Sequence, residues 1–359
     1  MHLAQLRLRD FRNYPRVDID FAPGFHLFLG NNGQGKTNIL EAIYFLATLR
    51  SFRGVSSQQV VRHAQKGYFI GATVVASDRH DIKLYWSSKE RSVTLNGKPV
   101  RRLSDFFGTF RAVVFCSEDL QLVKGPAARR RRFLDLLLAQ TVPTYLPTLQ
   151  RYTQTLRSRN ALLKRKPVDE HSLAAFTVQL VELGNLLVKR RQALLPRFAP
   201  LALRSHKSVS REAEEFRIEY APALKDDFAS ALNKTRERER IMGMTLVGPH
   251  RDDLSLLLNE RPAIHFGSEG QKRTIAIALK MAQAEFLTHA HGAPPVLLID
   301  DIMGELDAQR RSAFLPLLQQ SDRMRGQVFM TATEENWPVE LSRQITRWRV
   351  QSGKVAREA

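Results

Sequence analysis

Apolar and polar residues alternate with a period of two through most of the chain up to Cys116. Ala4, Leu6 and Leu8 take turns with Gln5, Arg7 and Arg9, and Val17, Ile19 and Phe21 repeat the pattern with acids between them. Such alternation predicts half-buried strands. Further strands are predicted at 69–76, 81–86, 92–95 and 111–116, with Asn96-Gly97 as a two-residue hairpin turn. From 127 to 240 the period changes to three and four. Leu173, Phe176, Leu180, Leu183, Leu187 and Leu194 form one stripe, interrupted by Arg190. Leu146, Leu149, Leu156 and Leu163 form a second, with Thr153 and Asn160 filling its gaps. This predicts an antiparallel helical hairpin turning at 164–167, or an ordinary helix bundle. Arms of about 20 residues would each span roughly 30 Å. Beyond Thr245 the α/β pattern returns, with a strand at 254–258, a helix at 274–286 and buried strands at 296–299 and 328–330. The residues after Arg349 are expected to be loosely held. The chain is therefore predicted to be an α/β head with mixed sheets, formed by 1–126 and 241–359, split by a helical arm at 127–240.

One buried stretch, Phe25 to Leu29, runs into Gly30-Asn31-Asn32-Gly33-Gln34-Gly35-Lys36-Thr37 and then into a helical pattern. Strand, glycine-rich loop and helix in that order make a phosphate-binding P-loop. Backbone N–H groups of the loop face phosphate oxygens, and the helix N-terminus adds positive potential. Lys36 is expected to reach the β- and γ-phosphates of ATP, and Thr37 to offer its hydroxyl to Mg²⁺.

Three later segments fit the same chemistry. Val296-Leu297-Leu298-Ile299-Asp300-Asp301 is an apolar strand ending in two acids, the Walker B arrangement. Asp300 is assigned to the Mg²⁺ shell, and Asp301 to positioning or activating water, with Lys36 as its catalytic companion. Gly267-Ser268-Glu269-Gly270-Gln271-Lys272 matches the S-x-G-Q core of the ABC-ATPase signature at the start of a second helix. Ser268, Gly270 and Gln271 would cap ATP held by another copy, giving a two-fold head-to-tail pair. The bland reading of that motif is a plain helix cap. Gly304-Glu305-Leu306-Asp307 occupies the D-loop position, where a turn crosses to the other subunit in ABC dimers, and it is the resemblance to such ATPases that implies a nucleotide contact for Asp307.

Charge adds a partner. The chain has 55 Lys and Arg against 36 Asp and Glu, a net +19, which favours a polyanion, nucleic acid before lipid. Basic clusters at 129–132, 164–166, 189–191 and 236–240 lie in or beside the arm, and Arg129, Lys164, Arg165 and Lys166 are candidates for DNA phosphates. The single cysteine, Cys116, excludes an internal disulfide and a cysteine zinc cluster and reads as a small buried apolar residue. His250 and Arg251 with Asp252 and Asp253 read as a loop-organising turn after a strand, ahead of a metal site. With no charged-then-apolar leader and no long apolar run, a cytoplasmic protein without a membrane partner is expected.

Taken together, these segments resemble the bacterial RecF family, SMC-like ABC ATPases of DNA replication and repair. The resemblance is carried by residues 8–14 (LRDFRNY), the P-loop and its helix, residues 115–126 and 130–135, residues 248–253 (GPHRDD), residues 267–273 and residues 298–307. It implies ATP- and Mg²⁺-dependent dimerisation on duplex or gapped DNA, weak ATPase activity that releases the dimer, and work with RecO and RecR to load recombinase at single-strand gaps after DNA damage. Two departures from the wider ABC pattern stand out. Asp301 replaces a more usual glutamate, and 328–333 (VFMTAT) lacks the switch histidine, leaving Thr331 or Thr333 to sense the γ-phosphate. A transport-type ATPase subunit and an ATP-gated protein scaffold are the alternatives.

Overall fold

The computed structural model describes residues 1–210, 214–223, 227–302, 311–312, 316–319, 321, 324, 326–333 and 345–358. The chain packs as two units, one of Met1–Asp119, Ser205–Arg211 and Thr274–Ala359, the other of Leu120–Arg204 and Glu212–Arg273.

The first unit holds two six-stranded sheets. In the antiparallel one the order is Tyr14–Asp20, His2–Phe11, Gly67–Val75, Arg79–Ser87, Arg91–Leu95, Lys98–Pro99. Its strands follow the sequence alternation, and the turn at Asn96-Gly97 forms as predicted. The opening strand departs in phase. A register shift between Leu3 and Gln5 buries Leu3 and leaves Ala4 half-buried, because an irregularity moves every residue on one side of it to the other face.

The second sheet runs Lys354–Arg357, Ile345–Gln351, Gly24–Leu29, Gln327–Ala332, Val296–Asp300, Ala112–Phe115. Its neighbours are parallel except for the outermost pair, Ile345–Gln351 with Lys354–Arg357. Parallel strands are covered on both faces, which explains the apolar run at 296–299 and the run at 25–29, where His26 is buried with its apolar neighbours. The segment after Arg349, expected to be loose, is instead paired into this sheet, with Val350 fully buried. Three apolar positions, Ile345, Trp348 and Val350, anchor it.

The two sheets are joined through Gln327. Its side chain accepts from Leu3 N (2.7 Å) and donates to Leu3 O (3.0 Å) and Ala22 O (2.9 Å). Beside it His26 lies among Phe21, Phe329 and Trp348, accepts at Nδ1 from Trp348 Nε1 (3.2 Å), and sits 2.8 Å from Ala22 O through Nε2. Burial drives its pKa down to about 4, so it is neutral at pH 7.

The second unit is mainly helical, with Ala127–Thr141, Tyr145–Leu163, most of Glu170–Val209, and Phe228–Met242. A three-stranded sheet, Arg261–Pro262, Asp253–Leu258, Phe216–Ala221, accompanies the helices. The strand at 216–221 lies in a region predicted as helical, although Phe216 and Ile218 alternate with Arg217 and Glu219. The helical hairpin is present, but its arms are unequal at 19 and 40 residues. At 1.5 Å per residue the longer reaches about 60 Å, twice the expected length. It runs through Pro196 and Pro200 because Leu194, Phe198, Leu201 and Ala202 keep the buried stripe going. By length and composition alone, this helix is the one among the described residues that could cross a membrane.

The hairpin seam is also more polar than predicted. On the shorter helix the buried positions are Tyr145, Tyr152, Thr155, Arg159, Leu162 and Leu163, so that of the predicted stripe Leu163 is buried and Leu146, Leu149 and Leu156 are not. On the longer one Arg191 is buried and Arg190 exposed. Arg191 donates to Asp135 Oδ1 (2.8 Å) and Pro249 O (2.7 Å), while Tyr145 Oη donates to the same carboxylate oxygen (2.5 Å). Arg159 pairs with the fully buried Glu239 at 2.7 Å. A long guanidinium can complete a seam when each of its donors finds an acceptor.

Two outcomes follow from these buried groups. Because the folded pKa of His26 is depressed, the unfolded chain takes up its proton first as pH falls. Stability from this residue is complete above pH 6.5 and is lost between 6.5 and about 4, on the order of 3 kcal/mol. Urea unfolding of His26→Gln should lack that part of the pH slope, and an unchanged slope would refute the assignment. Arg191→Met strands the Asp135 carboxylate and should cost about 3–5 kcal/mol in urea midpoint analysis. The exposed neighbour Lys189→Met should stay within about 0.5 kcal/mol, and equal effects would disprove the seam role.

Candidate nucleotide-binding site

Strand order builds the site. Gln327–Ala332 lies between Gly24–Leu29, which feeds the P-loop, and Val296–Asp300, which ends in the Walker B acid. Register pairs Asp300 with Thr331 and Thr331 with Phe28, so all three strands end together on one edge. Loops beyond the carboxyl ends of parallel strands are where such folds hold ligands. Asp300 Oδ1 accepts from Thr37 Oγ1 and from Thr331 Oγ1, each at 2.8 Å. Burial raises the Asp300 pKa, and the two hydroxyls oppose the shift. Thr331 is thus placed on the Walker B carboxylate, while Thr333 is exposed.

The helix Lys36–Thr48 begins with no side chain capping its N-terminus. Lys36 and Thr37 present their N–H groups at this end, where the helix dipole favours an anion, while Asn38 N donates to Gly35 O (2.9 Å). Lys36 Nζ donates to the carbonyls of Gly30 (2.6 Å) and Asn31 (3.0 Å), across the mouth of the loop. Burial lowers its pKa, and the charges of Asp301 and Asp300 counter that. Asp301 is exposed, with a left-handed backbone at φ 52°. Asn31, Asn32 and Gly33 form the exposed crest of the loop.

Residues that sequence reasoning assigned no chemistry hold the loop in shape. Tyr14 Oη donates to Gly35 O (2.9 Å), and Asn13 Nδ2 donates to Gln34 O (2.8 Å). Asn38 Nδ2 donates to Asn13 Oδ1 (2.9 Å). Gln34 Oε1 accepts from Ser352 N (2.7 Å). Two glycines are required by this clamp. A Cβ on Gly30 would lie 2.3 Å from Val350 O, and one on Gly35, at φ 117°, 2.6 Å from Asn13 Nδ2. Arg12 grips the buried Glu41 with two bonds of 2.7 Å, Nε to Oε2 and Nη2 to Oε1. The sequence signals for this were the polar pair Arg12-Asn13 between two alternating strands and the place of residues 8–14 among the segments that carry the family resemblance.

Thr37 and Asp300 offer hard oxygen donors on one side of the loop, a set suited to Mg²⁺ completed by phosphate and water oxygens. The signature residues lie in the other unit. There Ser268 and Gln271 form a reciprocal cap, Ser268 N donating to Gln271 Oε1 (2.6 Å) and Gln271 N to Ser268 Oγ (3.2 Å). In this chain by itself the motif is therefore a capping box at the start of Glu269–His291, with Gly270 in its first turn and Gln271 Nε2 donating to Glu214 Oε1 (2.7 Å). Asp307 and the rest of 303–310 lie outside the described residues.

The other candidates separate cleanly. Arg130 forks onto Asp253 (2.7 and 2.8 Å), and Arg131 donates to Asp252 O. Arg129, Lys164, Arg165 and Lys166 are exposed. The turn at 248–253 precedes its strand instead of following one. His250 Nδ1 lies 2.7 Å from Tyr152 Oη, and burial lowers its pKa to about 4. Asp252 accepts from Tyr220 Oη and from Ala223 N. These acids are spent on structure, and among the described residues no cluster of His, Cys, Asp and Glu is arranged for a metal. Cys116 is buried, with its thiol pKa pushed up by burial.

Comparison with known proteins agrees with this geometry. Residues 2–356 match the family described as RecF/RecN/SMC N terminal domain. The DNA replication and repair protein RecF of Cyanothece sp. is 40% identical over 349 residues, covering 93% of this chain and 92% of the relative. That of Symbiobacterium thermophilum is 38% identical, covering 95% of each. The solved structure of the recombination mediator protein RecF-ATP superposes with a TM-score of 0.91 at 29% identity, covering 100% of this chain and 98% of that one. An Smc head from Pyrococcus furiosus, at 16% identity and a TM-score of 0.56, shares the fold. A P-loop clamped behind by Asn13 and Tyr14, an acid shared by two threonines, and full-length similarity place this chain in the RecF family of DNA replication and repair proteins.

Proposed function

We propose that this protein is an ATP-operated DNA clamp of recombinational repair and replication restart in the cytoplasm. Two copies close head to tail over two ATP molecules on duplex or gapped DNA, and slow hydrolysis lets them part. Together with RecO and RecR homologues, the clamp helps load recombinase at single-strand gaps. The observation that carries this reading is the pairing of a complete P-loop site with an uncapped helix end and a second, separate helix end at Ser268. One nucleotide has a use for both ends, and a second copy can supply the second one.

In this reading Gly30 to Thr37 wrap the triphosphate, Lys36 turns from the Gly30 and Asn31 carbonyls to the β- and γ-phosphates, and Thr37 with Asp300 holds Mg²⁺. The metal, when bound, screens phosphate charge. Asp301 orients or deprotonates the attacking water. Ser268, Gly270, Gln271 and Asp307 close over the γ-phosphate from the partner copy. ATP then acts by mass action, favouring the paired state that binds it better. The net charge of +19 supports DNA binding through phosphates, with Arg129 a candidate contact.

Sedimentation velocity tests the clamp. ATP should convert monomer to dimer, Ser268→Arg should remain monomeric, and Asp301→Asn should dimerise but turn over at least about 100-fold more slowly. Dimerisation of Ser268→Arg equal to wild type would refute the shared site. For DNA, six to ten phosphate contacts predict an affinity loss of about 10³ to 10⁵ between 50 and 200 mM salt. Salt-insensitive binding in a fluorescence anisotropy titration would rule the phosphate-based mode out.

A further inference from the structure

The second unit leaves three aliphatic side chains in water at one end of its helical hairpin. Ile241 is 84% exposed, Met242 56% and Met244 38%. They lie on the last turn of Phe228–Met242 and just past it. Gly243 ends that helix in the left-handed conformation, and a Cβ there would lie 3.3 Å from Lys164 Cγ. Gly243, set between Met242 and Met244, is thus next to Lys164, the first residue of the exposed hairpin turn Lys164–Lys166. Arg238, also exposed, sits one turn before Ile241 and Met242 on the same helix face.

The charge balance at this corner is one-sided. Glu170 binds Arg236 (2.8 Å) and Arg240 (2.5 Å), Glu237 binds Arg240 (3.0 Å), and Glu239 is buried on Arg159. Asp169 accepts from Ser172 N at the start of the long helix. Among the described residues, Lys164, Arg165, Lys166 and Arg238 have no ion-pair partner. The corner is therefore an apolar centre with an uncompensated cationic rim.

We propose that this corner docks a protein partner whose contact face is an aliphatic patch ringed by Asp and Glu side chains. A DNA backbone would satisfy the cations but would press charged oxygens against Ile241 and Met242, where burial yields nothing. A protein face satisfies both, since interfaces place apolar and methionine side chains centrally and charges at the rim. The Lys164–Lys166 cluster is then the rim of a protein interface and not a DNA contact. This inference rests on the reading that the chain works with other repair proteins.

The probes are purified RecO and RecR homologues from the same cell and a gapped duplex, each titrated against the full-length protein. Two variants carry the test, Ile241→Asp with Met242→Asp, and Lys164→Glu with Arg165→Glu and Lys166→Glu. All five residues are exposed, so folding should be unaffected, and Tyr85→Asp in the first unit is the control. Each variant should weaken one protein partner by about tenfold or more while DNA affinity stays within about twofold. The charge reversal should act mainly on association rate and lose its effect in high salt. If the charge reversal instead weakens DNA binding and the aliphatic pair has no effect on either protein, the surface belongs to DNA and the proposal is overturned. If wild type binds a partner and both variants bind it equally well, the docking surface falls while the partner reading stands. If wild type binds neither protein, both fall together.

Discussion

A single carboxylate oxygen, Oδ1 of Asp300, ties the nucleotide site together. It takes hydrogen bonds from Thr37 at the start of the P-loop helix and from Thr331 on the central strand. A buried carboxylate is costly unless such donors meet it, and burial does push the Asp300 pKa upward. The cost is bearable because strand order puts the central strand between the other two. Any change in strand register would separate the three groups, so the geometry of the site is inherited from the parallel sheet.

Support for the P-loop comes from behind, through residues with no nucleotide chemistry of their own. Asn13 and Tyr14 hold the carbonyls of Gln34 and Gly35, and Arg12 neutralises Glu41 inside the helix that follows. A loop that must present N–H groups inward has its carbonyls turned outward, and those need donors. The antiparallel sheet supplies them at the end of its opening strand. The same logic organises the second unit, where Arg130, Arg131 and Arg191 satisfy the acids and carbonyls around the turn at 248–253.

The parts of this arrangement that were legible in the sequence are those with a local signature. The P-loop, the acid-tipped strand and the Asn96-Gly97 turn each need particular residues at fixed spacing. Most strands of the two sheets followed from period-two alternation and short apolar runs, but Ile345–Gln351 and Lys354–Arg357 did not, the residues after Arg349 reading as loose. What escaped depends on partners far away in the chain. The shift at Leu3 is invisible locally because Ala4 is also apolar. The stripe of the longer arm held at Leu173, Leu180, Leu183, Leu187 and Leu194, but that of the shorter arm was misplaced at Leu146, Leu149 and Leu156, because Tyr152, Thr155 and Arg159 are buried by hydrogen bonds that a leucine repeat does not show. Thr331 could not be told from Thr333 without knowing that register sets it opposite Asp300. Ser268 met its motif, yet in the isolated chain its hydroxyl serves the helix that follows.

The bond from Ser352 N to Gln34 Oε1 spans 318 positions of sequence. On a ribosome the P-loop leaves the exit tunnel long before the strand that latches it. Nascent chains therefore hold this loop without its outer clamp, and closing so distant a contact is entropically slow. The latch on the P-loop is thus completed only once translation has passed residue 352.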